Sequence, residues 1–143
     1  MNCFRGPATM LPYLKEIRKA IKCHMAALPL PFRTTEENPT FFNLPDNNGC
    51  TCEAPHGRTF PTALDPLYCN RYEMRAFFKE VHELGVNFLG VCCGATPMHQ
   101  REVAEAVGKT VPASKYREKM ENHFMYGTNE RTAKHMQDYG DKA

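Results

Sequence analysis

Gly85-Val86-Asn87-Phe88-Leu89-Gly90-Val91-Cys92-Cys93-Gly94-Ala95-Thr96-Pro97 is the stretch on which the fold turns. A short apolar run, Val86 to Val91, stops at two adjacent cysteines. Gly94 follows, and Thr96-Pro97 then reads as an N-cap and first residue of a helix, because proline lacks the N–H that a first helical turn leaves unused. The expected local structure is a buried strand, two thiols at its carboxyl end, and a helix whose N-terminus points back toward them. A third thiol, in Asn2-Cys3, stands at the start of the chain.

Working outward from this stretch, the segment before it is the clearest helix. Asn70 is a good N-cap with Glu73 three residues on, the pattern of a capping box. Met74, Phe77, Phe78, Val81 and Leu84 form one apolar face, and Gly85 supplies the stop. After the cysteines, Val103, Ala106 and Val107 mark the buried face of the next helix, with Gly108 as its stop. Near the start, Met10, Leu14, Ile17 and Ile21 recur at helical spacing over about Ala8 to Lys22. Pro7 and Pro12 suit only a first turn, so this helix could begin as late as Leu11. Cys23 to Pro29 reads as a second short buried strand, ended by Pro29 or Pro31. Residues 31–69 form a long irregular loop, broken by prolines at 31, 39, 45, 55, 61 and 66 and by the Asp46-Asn47-Asn48-Gly49 turn signal. From Lys109 onward the chain is polar, with weak helical potential at 114–122 and 130–139.

Alternation of strands and helices implies an α/β fold with parallel strands and helical crossovers. Ligands in such folds gather at the carboxyl ends of the strands. Cys92 and Cys93 end one strand, and Cys3 would share their rim if Asn2-Cys3 closes another.

Composition removes several classes of function. The chain has 143 residues, 42% of them apolar, and a net charge of +2. That length suits about one domain, and the charge is too small to argue for nucleic acid or an anionic membrane. No stretch approaches the roughly 20 apolar residues of a membrane span. The start, Met1 to Pro7, has no apolar core of a secretory signal, so a cytoplasmic location is expected. There, seven cysteines serve as reduced ligands or inert thiols rather than as disulfides.

Three thiolates form a soft ligand set that selects zinc over magnesium or calcium. Such a site is a weak Lewis acid for hydrolysis, but it can take a substrate thiol as fourth ligand and deprotonate it. Two other readings stand beside it. Cys92 and Cys93 can be small hydrophobes of a core, or they can join Cys50 and Cys52 of the long loop as a structural four-thiol site. Cys23 and Cys69 read as inert, His24 and His99 as packing or surface residues, and His56 carries no signal.

The motif Gly85-Val86-Asn87-Phe88-Leu89-Gly90-Val91-Cys92-Cys93-Gly94 resembles the signature of the homocysteine S-methyltransferase family, G-[VI]-x-[YF]-[IL]-G-G-C-C-G. Asn2-Cys3 looks like the family's earlier G-x-N-C motif. Arg71-Tyr72-Glu73, Glu83-Leu84-Gly85, Pro97-Met98-His99 and Pro112-Ala113-Ser114 also look like the family, and the long loop and extended tail are more similar to its betaine–homocysteine branch. The resemblance implies a (β/α)8 TIM barrel, with one cysteine after the sixth strand and two after the eighth. It makes Cys3, Cys92 and Cys93 the ligands of Zn2+. It further implies transfer of a methyl group from a donor such as betaine to homocysteine, giving methionine.

Such a barrel runs to about 250 residues, so the 143-residue chain looks like its last two to three βα units. Residues 1–111 would be the barrel segment and 112–143 a C-terminal extension that would serve as an oligomerisation arm between copies of the same chain. The acidic residues that hold the homocysteine amino group, and those that cage a betaine donor, have no counterpart here. The isolated chain is therefore expected to be inactive, and the rival to an enzyme is a truncated chain that acts as a zinc-binding or assembly module. Val91 stands where the family has its second glycine, slightly narrowing the approach to the metal.

Overall fold

The structure is a computed structural model that describes residues 1–45, 57–125, 127–128, 136, 138–139 and 142. It divides into two compact units, Met1–Val111 and Pro112–Ala143. In the first, the order is α1 (Pro7–Ala20), β1 (Ala26–Ala27), α2 (Arg71–Glu83), β2 (Phe88–Leu89) and α3 (Pro97–Ala106), with 3-10 turns at Phe41–Asn43 and Asp65–Leu67. This is the α/β alternation expected from the sequence.

β1 and β2 pair in parallel, Ala26 with Phe88 and Ala27 with Leu89. On the other side of β1, Asn2 forms a parallel bridge with Leu28. Three chain segments thus run side by side in one direction, and each is followed by a helix. The strands are far shorter than the apolar runs that predict them, and proline is the reason. Beyond Ala27 the chain offers Pro29 and Pro31, which have no N–H for the ladder. Only their carbonyls continue the pattern, accepting from Cys92 N–H at 2.9 Å and Cys69 N–H at 2.8 Å.

β2 is also less buried than its composition suggests. Val86 and Gly90 are buried, but Phe88 is 62% exposed, and among the described residues β2 has a strand partner on one edge only. The core instead lies where α1 and α2 meet β1. Met10 and Leu14 of α1, Ala27 of β1, Met74, Phe77, Phe78 and Val81 of α2, Val86 and Val103 form one cluster. Burial of each large aliphatic or aromatic side chain there contributes roughly 1.5–3 kcal/mol.

α2 follows its sequence signals closely. The Asn70 side chain accepts from the N–H groups of Tyr72 and Glu73, and the Glu73 carboxylate accepts from Asn70 N–H at 2.6 Å, completing the capping box. Gly85, at φ +79°, ends the helix in the left-handed conformation. α1 starts within a residue of the expected Ala8. It begins at Pro7, not Leu11, and carries Pro12 within it. The carbonyl deprived of a donor by Pro12 belongs to Ala8, an exposed residue that can turn it to water.

α2 and α3 pack against each other through charge as well as apolar surface. Glu102, with 0% exposure, accepts from Arg75 Nε at 2.7 Å and lies 2.5 Å from its Nη2. In the second unit, Pro112–Tyr116 and Met120–Asn122 are 3-10 turns. Most of the 130–139 stretch read as weakly helical lies outside the described residues. No helix among the described residues is long and apolar enough to cross a membrane.

Candidate metal centre

The carboxyl ends of the three parallel segments form one rim, tied together by backbone hydrogen bonds. Cys3 N–H donates to Leu28 O at 3.0 Å, Leu30 N–H to Arg5 O at 2.9 Å, and Cys92 N–H to Pro29 O at 2.9 Å. The extension of β1 through Pro29 and Leu30 is therefore the strut between Cys3 on one side and Cys92 on the other.

Local backbone geometry turns the thiols toward each other. Cys3 and Phe4 both take positive φ, +61° and +62°. Side chains rarely adopt this region, and it carries strain of order 1–3 kcal/mol per residue. On the other arm, Ala95 N–H returns to Cys92 O at 3.2 Å, closing a four-residue turn whose third residue, Gly94, has φ +83°. A turn with positive φ at that position favours glycine. Here there is a second reason for glycine, since a Cβ on residue 94 would lie 2.8 Å from Cζ of Phe32.

The result is a triangle of sulfurs. Cys3 Sγ lies 3.9 Å from Cys93 Sγ, Cys92 Sγ lies 3.7 Å from Cys93 Sγ, and all three fall within 4.8 Å of one another. Tetrahedral ligation by thiolates at about 2.3 Å would set the sulfurs about 3.8 Å apart. The donor set and its spacing therefore both fit zinc. Cys3 and Cys92 are half-buried and Cys93 is exposed, so the triangle opens to solvent on the Cys93 side.

The thiols are electrostatically unequal. Burial works against ionisation of Cys3, but hydrogen bonds with the Cys92 thiol, with Phe4 and with Cys93 outweigh it and hold its pKa below the ordinary value. Burial, followed by the thiol contacts with Cys3 and Cys93, pushes Cys92 up to about 11. One thiolate, at Cys3, is thus favoured and discourages a second beside it; a cation at the centre of the triangle would remove that repulsion.

Behind the thiols lies a satellite core built by the 31–69 segment. Leu30, Phe32, Phe41 and Leu44 are buried together, with Cys3, Cys92, Phe42, Phe60 and Tyr68 packed against them. Phe41 meets Phe60 edge-on at 5.1 Å and stacks on Phe32 at 6.0 Å. The two legs of the segment meet at an antiparallel bridge between Phe32 and Tyr68. Tyr68 and Phe32 carry no motif. Their role shows only in tertiary contact, since the stretch holds five Phe and Tyr residues without periodicity.

The other expected site residues fall elsewhere. Cys23 and His24 are exposed, while Cys69 is 4% exposed and its thiol is pushed up to about 12 by burial. His99 is buried, with 1% exposure. Its Nδ1 accepts from Thr96 N–H at 3.0 Å, so Nε2 carries the proton and donates to Cys69 O at 3.1 Å. It is a packing residue at the start of α3. Cys50, Cys52 and His56 lie outside the described residues, and with them the proposed four-thiol arrangement of Cys50, Cys52, Cys92 and Cys93.

Comparison with known proteins agrees with the motifs. The family model described as homocysteine S-methyltransferase matches residues 1–107. A betaine–homocysteine S-methyltransferase 1 of Danio rerio is 30% identical over 111 residues, covering 73% of this chain and 24% of the relative. The enzyme of that name from Pongo abelii is 27% identical over 138 residues, covering 90% and 29%. An S-methylmethionine–homocysteine S-methyltransferase of Rattus norvegicus is 28% identical over 138 residues, covering 90% and 33%. The chain thus spans between a quarter and a third of the length of these relatives.

Proposed function

Because the chain belongs to the homocysteine S-methyltransferase family, we propose that Cys3, Cys92 and Cys93 hold a zinc ion at which a thiol such as homocysteine accepts a methyl group to give methionine. The observation that carries this reading is the sulfur triangle, with separations of 3.7 and 3.9 Å at the ends of parallel segments. When bound, zinc with three thiolate ligands would supply a fourth position for a substrate thiol and keep that thiol deprotonated at neutral pH.

The residues of the chain contribute binding and orientation. Positive φ at Cys3 turns its sulfur into the rim, and the Cys92–Ala95 turn presents two sulfurs from adjacent residues. The apolar cluster that includes Leu30, Phe41 and Leu44 packs against Cys3 and Cys92 on the inner side, leaving the approach on the Cys93 side. The betaine and S-methylmethionine in the names of the relatives make a donor with its methyl group on a cationic nitrogen or sulfur the fitting class. Such a methyl carbon would be attacked by the acceptor sulfur, and the neutral amine or sulfide would leave with the bonding pair.

In this reading Met1–Val111 corresponds to the last two to three βα units of a (β/α)8 barrel, its three parallel segments taking the places of strands six to eight. Pro112–Ala143 is proposed as an arm for assembly with further copies, since Tyr116, Met120 and Phe124 are exposed at 71%, 49% and 62%. Reduced thiolate ligands suit the cytoplasm. The 143 residues alone should bind zinc yet form little or no methionine, because the groups the family uses to hold homocysteine and betaine have no counterpart among them.

Metal analysis of the purified chain tests the centre, with about one zinc per chain expected and a sharp fall on Cys92→Ala or Cys3→Ala. Zinc that survives Cys3→Ala but is lost on Cys50→Ala would replace this reading with the structural four-thiol site.

A further inference from the structure

Two neighbouring residues on the return leg of the 31–69 segment grasp the cysteine turn from outside. The Tyr68 hydroxyl donates at 2.8 Å to the carbonyl of Gly94, the residue after Cys93. The Cys69 carbonyl accepts from His99 Nε2, and His99 in turn accepts from Thr96 N–H, two residues beyond Gly94. The Tyr68 ring lies between Phe32, at 4.8 Å, and His99, at 5.6 Å. This leg is itself held to the β1 extension, since Cys69 N–H donates to Pro31 O at 2.8 Å and Arg33 N–H to Leu67 O at 2.8 Å.

We propose that Tyr68 is a positioning residue for the metal centre: its hydroxyl fixes the Gly94 carbonyl, and through it the orientation of the Cys92–Cys93 pair toward Cys3. The inference rests on the zinc reading above. The entry to the turn is tied by Cys92 N–H to Pro29 O, and its closure by Ala95 N–H to Cys92 O. Cys93, the most exposed of the three ligands, has neither bond. The Gly94–Ala95 peptide that closes the turn over it is tied on one side by Ala95 N–H to Cys92 O, and Tyr68 holds the same plane from outside through Gly94 O. A glycine at positive φ, with no side chain of its own to restrain it, makes the external bond matter more. Partners that orient metal ligands in this way typically change metal affinity about 10–100-fold when removed.

The test compares wild type, Tyr68→Phe and Phe32→Leu in the full 143-residue chain. Tyr68→Phe removes the hydroxyl and keeps the ring between Phe32 and His99, so it retains the packing. Phe32→Leu loosens the same aromatic cluster and keeps the hydroxyl bond. Zinc affinity is read by chelator competition, and ligand geometry by the visible absorption of the cobalt-substituted protein. Tyr68→Phe should still take one zinc at saturation but bind it about tenfold more weakly, with altered cobalt bands and an unchanged thermal midpoint. Phe32→Leu should lower the midpoint while keeping affinity within about threefold of wild type, below the range expected for a lost orienting bond. Unchanged affinity and cobalt spectrum in Tyr68→Phe would overturn the role of the hydroxyl while leaving the zinc reading intact. Equal losses in both variants would reduce Tyr68 to general packing and overturn it likewise. A wild-type chain that binds no zinc would overturn both readings.

Discussion

Substituting Gly94 by alanine perturbs two separable quantities, and the structure contains the controls that separate them. Gly94 sits at φ +83°, Gly85 and Gly108 at +79° each. A Cβ in this region raises the backbone energy by about 1–2 kcal/mol. Alanine also narrows the unfolded ensemble, which returns about 0.4–1 kcal/mol. The backbone contribution alone is therefore about 1 kcal/mol at all three sites. At Gly85 and Gly108 nothing stands within 4 Å of the added Cβ, so that is the whole effect. At Gly94 the Cβ would lie 2.8 Å from Cζ and 3.0 Å from Cε2 of Phe32. That ring is wedged between Phe41 and Tyr68 and cannot swing away cheaply. Overpacking of this kind adds about 1–3 kcal/mol, giving a total of about 2–4 kcal/mol for Gly94→Ala. Urea unfolding of the three variants beside wild type measures the difference directly. If Gly94→Ala proves no more destabilising than Gly85→Ala, the close approach of Phe32 to the turn is wrong, and with it the account of why the residue after the cysteines is glycine.

Three further outcomes are expected. The Glu73 carboxyl is held below its ordinary value of 4.5 chiefly by the hydrogen bond from Arg33, with Asn70 N–H assisting against burial. Its contribution is therefore present above that ordinary value and lost as pH falls through the lower folded one. Glu73→Gln should be less stable than wild type by up to about 1 kcal/mol at neutral pH, a half-exposed pair being screened. The gap should close in acid; a gap that widens there contradicts the assignment. Glu102→Ala removes the main partner of the partly exposed Arg75, leaving Glu105 at 3.9 Å, and should destabilise by about 2 kcal/mol, visible as a lower denaturant midpoint. The double replacement of Arg75 and Glu102 by methionine should recover most of that loss. Finally, Cys69, buried with its pKa pushed up to about 12, should resist iodoacetamide at neutral pH long after the exposed Cys23 has reacted. Labelling of Cys69 at the Cys23 rate would show that the core between α1 and α2 opens readily.

The parts of this molecule legible in its sequence are those where one residue type does one local job. Asn70 and Glu73 cap α2 through bonds within four residues, and Gly85 and Gly108 occur where φ must be positive. Helical spacing at 74, 77, 78 and 81 identified the buried face without reference to anything distant. The cysteines were legible as a set because their chemistry narrows what three thiols at strand ends can do, and their family motifs are specific. Strand extent was not legible. Apolar runs at 23–29 and 86–91 predict longer ladders than form, because pairing depends on which neighbour is a proline and which edge has a partner. The satellite core was hidden for a related reason. Phe32, Phe41, Phe60 and Tyr68 come together across 36 residues with no periodicity, so only tertiary contact reveals that an irregular stretch packs. Pro12 lies within the helix expected from about Ala8, where burial of Met10 and Leu14 outweighs the local penalty of a proline.

The bridge between Phe32 and Tyr68 has a consequence for how this part of the chain can vary. A second antiparallel bridge, Pro45 to Arg58, lies further out, reinforced by Thr59 N–H and its hydroxyl to Leu44 O at 3.0 and 3.1 Å. The excursion is therefore pinched twice, like a drawstring purse, and the inner pinch is the one that adjoins the rim that carries the thiols. Lengthening a closed loop raises its entropy of closure by only about 0.6 kcal/mol per doubling. Foreign sequence spliced between residues 45 and 58 should leave the inner pinch, and the cysteine turn it supports, where they are. The site is in that sense a graft point: a place where natural drift or an engineer can add a segment beside the metal centre without rebuilding it.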